Sequence, residues 1–425
     1  MAILFHIDCR ERVKFFRRLA PAADAAGEGL IAYTHLPSAR LAVARMGRPC
    51  IMVSREQRKP MGVAEQVSLR ETREIVAGRL SESPARRLAR SVEHDLRQAV
   101  ARRGVASVWS WNGANLFGEV GRAFAAERDL PTLFPEIANL PGKMFADPIG
   151  VNARSSLYHD PSQLDRMPAD LEAFEAWRAA YLESKRQAHY VPQSRKAMRI
   201  AWGPALLDHV GFSLGLAPRF DRRSAWSLLR AEMRAAKAHW PVERIEPAQA
   251  KRDLPYVFFP LQVADDTQVL LNSDVGLLEA IRQACREASD LGAELWVKPH
   301  PADKDITLRQ EVVRLRTELG FRLVDGNTFS LLANARRVIV VNSTAGFEAM
   351  LLCVETTFLG RSYFPLLNTP HRQAAYVQRE LLDIDYFASD PLTVDQLEAL
   401  RSRAAVPVSE GVDSEADSAD AGSPA

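Results

Sequence analysis

The chain contains no apolar run approaching the ~18–20 residues that a bilayer-crossing helix needs, which argues against a membrane-spanning protein. Its four cysteines, Cys9, Cys50, Cys285 and Cys353, stand far apart and make no CxxC pair. A disulfide scaffold and a structural zinc site both lose their usual signature, and reduced thiols are expected. Neither a GxGxxG nor a Walker pattern occurs, so dinucleotide binding and P-loop hydrolysis lack support. There is no internal repeat of solenoid length. Asp8 and Arg10 arrive almost at once and no small-residue cleavage site follows. The expectation is a cytoplasmic chain without a secretory signal.

What is present is an ordinary globular composition: 425 residues, 47% hydrophobic and 25% charged. That is enough for two or three domains with a sizeable core. The net charge of +2 conceals an asymmetry. Residues 405–425 hold Glu410, Asp413, Glu415, Asp417 and Asp420 with no Lys or Arg, and the body left without them carries 55 basic against 48 acidic residues, a balance of +7. The acidic tail is expected to be disordered. A basic body suits an anionic partner such as a nucleotide, an acidic sugar or an anionic membrane face, and equally a set of solvated arginines.

Short apolar runs at 2–8, 30–33, 50–53, 105–111 and 133–137 alternate with helical patterns at 12–19, 85–103 and around Phe117 and Phe124. That alternation predicts an α/β layer with a parallel sheet. A Pro/Gly-rich loop is expected after 137. Residues 160–239 change character, with amphipathic stretches at 170–184 and 224–238 that predict a helical insertion, and 241–255 reads as a linker. A second α/β unit follows, with strands at 256–263, 294–297, 321–324 and 337–341, helices between them, and a last helix at 391–404. The run Arg337-Val338-Ile339-Val340-Val341 is the clearest buried parallel strand. The resulting domain plan is 1–160, an insertion and linker at 161–250, 251–365, a helical segment at 366–404, and the tail at 405–425.

Four segments carry candidate chemistry, each just after a predicted strand, where open α/β sheets bind ligands. Phe258 to Gln268 delivers Asp265 and Asp266, of which one could serve as nucleophile or base at a sugar carbon. A solvated turn is the plainer reading of an isolated Asp-Asp, and no third ligand nearby favours a metal. Val297-Lys298-Pro299-His300-Pro301 fixes a histidine and a lysine at a strand end, suited to a phosphate or to a rigid surface turn. Asn342-Ser343-Thr344 opens a helix, where free N–H groups favour an anion, although Ser343 or Thr344 could be an ordinary N-cap. Glu136 ends a strand of the first unit and could act as acid or base across the cleft, or pair with Lys143 as a loop acid. Together, carboxylates facing a phosphate site across two α/β units make a sugar-transfer arrangement.

Two such units in tandem resemble a GT-B glycosyltransferase, and the motifs FFPLQVADDTQ, KPHP and VNSTAGFEAM, in that order, resemble the capsule-polysaccharide β-Kdo transferases of the KpsS/KpsC type. FPEIANLPGK…DPIGVN and the Trp111-Asn112-Gly113 turn resemble the single-module KpsS-type members. The resemblance implies a GT-B-like fold of two Rossmann-like domains with a helical insertion. It implies transfer of the acidic sugar Kdo from CMP-Kdo with retention, through a covalent adduct on an Asp of the pair, with Asp266 preferred over Asp265 and Glu136 assisting. Lys298, His300, Pro301, Asn342, Ser343 and Thr344 are implied as CMP contacts, and Gln262, Gln268, Asn112 and Asn152 as weaker contacts to Kdo or acceptor. No metal or other cofactor is implied. The implied acceptor is a phosphatidylglycerol-type lipid or glycolipid at the anionic cytoplasmic face of the inner membrane, with other capsule biosynthesis and export proteins as partners and no nucleic acid. After Leu352 the family commonly has a Gly-Lys-Pro turn where this chain reads Cys353-Val354-Glu355, which leaves the following strand open. The competing readings are an inverting CMP-sialic-acid-type transferase and a catalytically silent scaffold that binds nucleotide or lipid.

Overall fold

The computed structural model describes residues 1–187, 202–221, 246–247, 255–263, 267–300, 303 and 305–407. Six strands form the first sheet: β1 (Ala2–Ile7), β2 (Gly29–Thr34), β3 (Cys50–Met52), β4 (Val105–Ser110), β5 (Thr132–Ile137) and β6 (Met144–Asp147). Their order is β3-β2-β1-β4-β5-β6, parallel throughout except for the β5/β6 hairpin. Every residue of β1 is buried, as expected for a central strand covered on both faces. Alternation sends Ile3, Phe5 and Ile7 to one face, against Val13, Phe16 and Leu19 of helix α1 (Arg10–Ala25). Ala2 and Leu4 go to the other, against helices α3 (Glu82–Arg103) and α4 (Leu116–Glu127). Helix α2 (Pro37–Arg45) follows β2.

The second sheet repeats the plan. Its strands are β7 (Glu246–Pro247), β8 (Tyr256–Pro260), β9 (Glu294–Lys298), β10 (Arg322–Asp325), β11 (Arg337–Val340) and β12 (Thr356–Phe358), in the order β12-β11-β8-β9-β10-β7 and all parallel. Leaving the edge strand β7 aside, both sheets have the doubly wound order in which the strand sequence reverses once. The reversal lies between β1 and β4 in the first sheet and between β8 and β11 in the second. The chain is thus α/β with two Rossmann-like units, the GT-B-like arrangement expected from the sequence.

Between the units lies a shared core. Phe134 and Phe145 of the first sheet pack with Phe347 and Leu351 of the helix after β11, and with Tyr363, Tyr376 and Leu381 farther on. Helix α5 (Leu171–Gln187) adds Phe174 and Tyr181 to that core, and Tyr181 donates to Glu348 at 2.9 Å. The described part of the insertion is helical, with α6 (Trp202–Ser213) as its second long helix. The amphipathic stretch at 224–238 lies outside the described residues.

Two sequence expectations need correction. The Pro/Gly-rich loop after 137 is a hairpin, with Phe134 opposite Asp147 and Ile137 opposite Met144. Leu140-Pro141-Gly142-Lys143 supplies its turn, with Gly142 at φ +71, and the returning strand of four residues is too short to show a period. The linker at 241–255 contributes the edge strand β7, where a proline costs no interior hydrogen bond. The C-terminal helical segment expected before the tail is present. Its helix (Val394–Ser402) places Leu397 and Leu400 in the core of the first unit, Leu382 bridges Met144, and Ala405 bridges Thr132. Arg18 clamps this return by donating to the carbonyls of Asp385 and Asp390 at 2.7 and 2.6 Å.

Candidate active site

Residues that follow β4 and β11 open onto one cavity of about 360 Å³ between the two units. The first unit supplies Asn112, Glu136 and Asn152, and the second supplies Asn342 and Thr344. Five of the residues expected from sequence therefore share a single wall-to-wall space.

Glu136 sits near the end of β5, half-buried. Trp111 Nε1 donates to Oε1 at 3.3 Å, Asn112 Nδ2 to Oε2 at 2.6 Å, and the Ile137 amide to Oε1 at 2.9 Å. Three donors fix the carboxylate in place, which a group meant to take a proton at a defined position requires. The Lys143 pairing does not occur, because Lys143 Nζ lies 2.6 Å from Asp383 instead. The turn that carries Asn112 is unusual. Asn112 has φ +65 and Gly113 φ +79, and a Cβ on Gly113 would lie 2.6 Å from the Phe134 ring. Glycine is required there, and asparagine is among the residues that tolerate the left-handed region. Asn152, also lining the cavity, has φ +56.

Two arginines line the same wall, and the sequence reading missed both. The Arg12 guanidinium stacks 3.8 Å over the Trp111 ring and donates to the Tyr386 hydroxyl at 2.7 Å. Arg73, on the one-turn helix Arg73–Val76, donates to Asp8 at 3.2 Å. Burial alone would raise the Asp8 carboxyl, but Arg73, His6 and Arg12 beside it hold it below the usual carboxylate range. Arg12 had a signal, since it opens the basic helix after the first strand, where ligands of open sheets gather. Arg73 lies far from any predicted strand and had none.

The opposite wall is the second unit's reversal point. Gln262, just after β8, and Asn342, just after β11, are both buried and exchange hydrogen bonds. Gln262 Nε2 donates to Asn342 Oδ1 at 3.0 Å, and the Asn342 backbone amide donates to Gln262 Oε1 at 3.2 Å. Ser343 is the N-cap of helix α7 (Thr344–Leu351), accepting from the Ala345 amide at 3.2 Å. Gly346 lets that helix lie close on its sheet, since a Cβ would meet Phe358 at 2.5 Å and Val340 at 2.8 Å. An exposed helix start, with Thr344 facing the cavity, favours negative charge there.

The remaining expected residues stand apart from this cavity's lining. Lys298 Nζ donates to Thr328 Oγ1 at 2.6 Å, and burial lowers its pKa. His300 is half-buried beyond β9, its carbonyl accepting from Asp303 at 3.1 Å. Asp265, Asp266 and Pro301 lie outside the described residues, as does the side chain of Gln268. Among the described residues, no group of three or more His, Cys, Asp or Glu could hold a metal ion.

Residues 221–376 match the model of the family described as capsule polysaccharide biosynthesis protein. Over 116 residues, 26% of this chain and 27% of that protein, the sequence is 32% identical to the protein FixF of Sinorhizobium fredii, so the chain spans about a quarter of that relative. Two solved structures of Thermosulfurimonas dismutans KpsC, the β-Kdo 2,7 and β-Kdo 2,4 transferases, are 12% and 14% identical. They cover 95% and 93% of this chain and 100% and 97% of their own, with TM-scores of 0.41 and 0.40. A Methanocaldococcus jannaschii UDP-GlcNAc 2-epimerase covers 95% of this chain and 98% of its own at 7% identity and a TM-score of 0.31. These structural likenesses are too slight to speak to activity. By its sequence, the segment 221–376 is similar to the capsule polysaccharide biosynthesis protein family.

Proposed function

We propose that this chain is a glycosyltransferase of capsule polysaccharide biosynthesis that moves Kdo from CMP-Kdo to a lipid or glycolipid acceptor, with retention. The observation that carries the reading is the shared cavity: a fixed carboxylate, Glu136, on one wall and an anion-favouring helix start, Asn342 to Thr344, on the other. The family match of the second unit supports the capsule context.

In this reading the phosphate of the donor meets the start of α7, where backbone N–H groups and the helix dipole stabilise the charge that develops as CMP leaves. An Asp266 carboxylate oxygen bonds to the anomeric carbon while the bond from that carbon to the CMP phosphate oxygen breaks. The acceptor hydroxyl then attacks the same carbon, its proton passes to Glu136, and the bond to Asp266 breaks. Two inversions give net retention, the logic of retaining glycosidases. Arg12 and Arg73 would keep the acceptor side attractive to acidic groups. A lipid acceptor at an anionic membrane face is in keeping with the +7 body.

The test is incubation with CMP-Kdo generated in situ, followed by peptide mass spectrometry. A Kdo-sized adduct on the peptide containing Asp265 and Asp266, absent in Asp266→Ala, is the expected result. CMP release without any adduct would replace double displacement by single-step inversion. Neither adduct nor CMP release, with a lipid acceptor present, would leave a scaffold.

A further inference from the structure

Helix α6 (Trp202–Ser213) is anchored on one face and bare on the other. Asp208, its only acidic residue, points inward and accepts from the Ser38 amide at 2.7 Å, the Ser38 hydroxyl at 2.8 Å and Arg10 Nη2 at 2.8 Å. It thereby satisfies the start of α2. Gly211 lets the two helices touch, since a Cβ there would lie 2.5 Å from Pro37. On the outer face stand Leu206 (64% exposed), Leu207 (37%) and Val210 (42%), continued by Leu214 (69%) and Leu216 (66%). The spacing 206, 207, 210, 214 is one stripe of a helix. Of fourteen exposed large hydrophobic residues among those described, these five fall within eleven consecutive positions, and no Lys, Arg, Asp or Glu shares their face. So dense an apolar patch on a soluble surface marks an interaction site.

We propose that this face of residues 202–216 seats the protein on an anionic lipid bilayer. The flanking sequence argues for lipid over another apolar surface. Between Glu183 and Asp208 there are five basic residues and no acid: Lys185 and Arg186, which pair with Glu348 and Glu183, and then Arg195, Lys196 and Arg199. Arg219, Arg222 and Arg223 follow the segment around one acid, Asp221. An apolar stripe framed by cations is the pattern of an interfacial helix on anionic lipid. The placement fits a lipid acceptor too. On the inner side of the segment, Phe212 and Phe220 close a second cavity of about 200 Å³, which shares Arg73 and Asn115 with the catalytic one. A headgroup held at this surface would lie beside the route to Glu136. The inference rests on the lipid-acceptor reading.

The test uses the full chain, without donor, and phosphatidylcholine vesicles with and without phosphatidylglycerol. Wild type binds the phosphatidylglycerol vesicles, more weakly as salt is raised, and the combined variant Leu206→Gln, Leu214→Gln, Leu216→Gln loses affinity by about tenfold or more. Its melting temperature and its turnover of CMP-Kdo with a water-soluble acceptor stay at the wild-type level. Equal vesicle binding by the variant, or none by wild type, overturns the inference while leaving the sugar chemistry standing. A wild-type dimer that the variant dissolves would assign the face to a second copy. A lowered melting temperature would assign it to the chain's own interior, and either result also overturns the proposal.

Discussion

The two Rossmann-like units share a strand order and differ in what they place at its reversal point. The first unit arms it with ionisable side chains: Asp8, Arg12, Arg73 and Glu136, braced by Trp111 and Tyr386. Among the described residues, the second arms it with neutral groups: the Gln262–Asn342 amide pair, a hydroxyl cap and a helix start. Such a division suits a reaction in which one substrate is an anion with a leaving group and the other must lose a proton. Amides and backbone N–H groups can hold a phosphate without titrating, and a carboxylate across the cleft can take the proton.

The comparison can be broken first at its neutral side. Asn342→Ala would take away the side-chain oxygen that accepts from the buried Gln262 Nε2, while the backbone amide at 342 still donates to Gln262 Oε1. The protein should therefore lose about 1–3 kcal/mol in urea unfolding. CMP affinity should fall with it, by about tenfold or more. Wild-type stability with wild-type CMP affinity would deny the amide pair its role.

The charged side should fail differently, through acid. Burial pushes His6 down to about 3, against about 6.5 in an unfolded chain. Between those values the unfolded chain binds a proton that the folded one does not. Stability is therefore fully present above about pH 6.5 and falls as the pH drops, by about 1.4 kcal/mol per unit for this group. Urea midpoints at pH 7 and pH 5 should show the fall, and His6→Gln should lessen it, leaving the part that His35, which burial lowers to about 4, contributes in the same direction. Hydrogen exchange should place the early opening in the first unit, and uniform loosening of both units would contradict the contrast.

The smallest effect belongs to the second unit's turn after α7. Cys353 sits at φ +58, the left-handed position where the resembled family has glycine. That conformation strains any residue with a Cβ, so Cys353→Gly should stabilise the protein by about 0.5–1 kcal/mol, readable as a raised melting temperature. A loss of stability would mean that the thiol makes a contact worth more than the strain.

Much of the second unit was legible because its signals are local. Arg337–Val340 is a continuous apolar strand, and the hydroxyl cap follows it directly. Glu136 was legible for the same reason, at the end of a short apolar run. What escaped depends on chain folding at long range. Arg73 reaches the cavity from a single turn of helix, and the hairpin strand Met144–Asp147 is defined by its partner more than by its own pattern. The return of Val394–Ser402 onto the first unit rests on Leu397 and Leu400, which look like any amphipathic pair until α1 is present to receive them. Asp266 remains a sequence-based assignment.

The central claim, that the first unit does the proton chemistry while the second holds the nucleotide, is met most directly by Glu136→Gln. Transfer to the acceptor and CMP affinity would be measured on the same preparation. The account predicts that transfer falls by about 10²–10⁴-fold while CMP binds as in wild type. Undiminished transfer, or a parallel loss of CMP affinity, would contradict it.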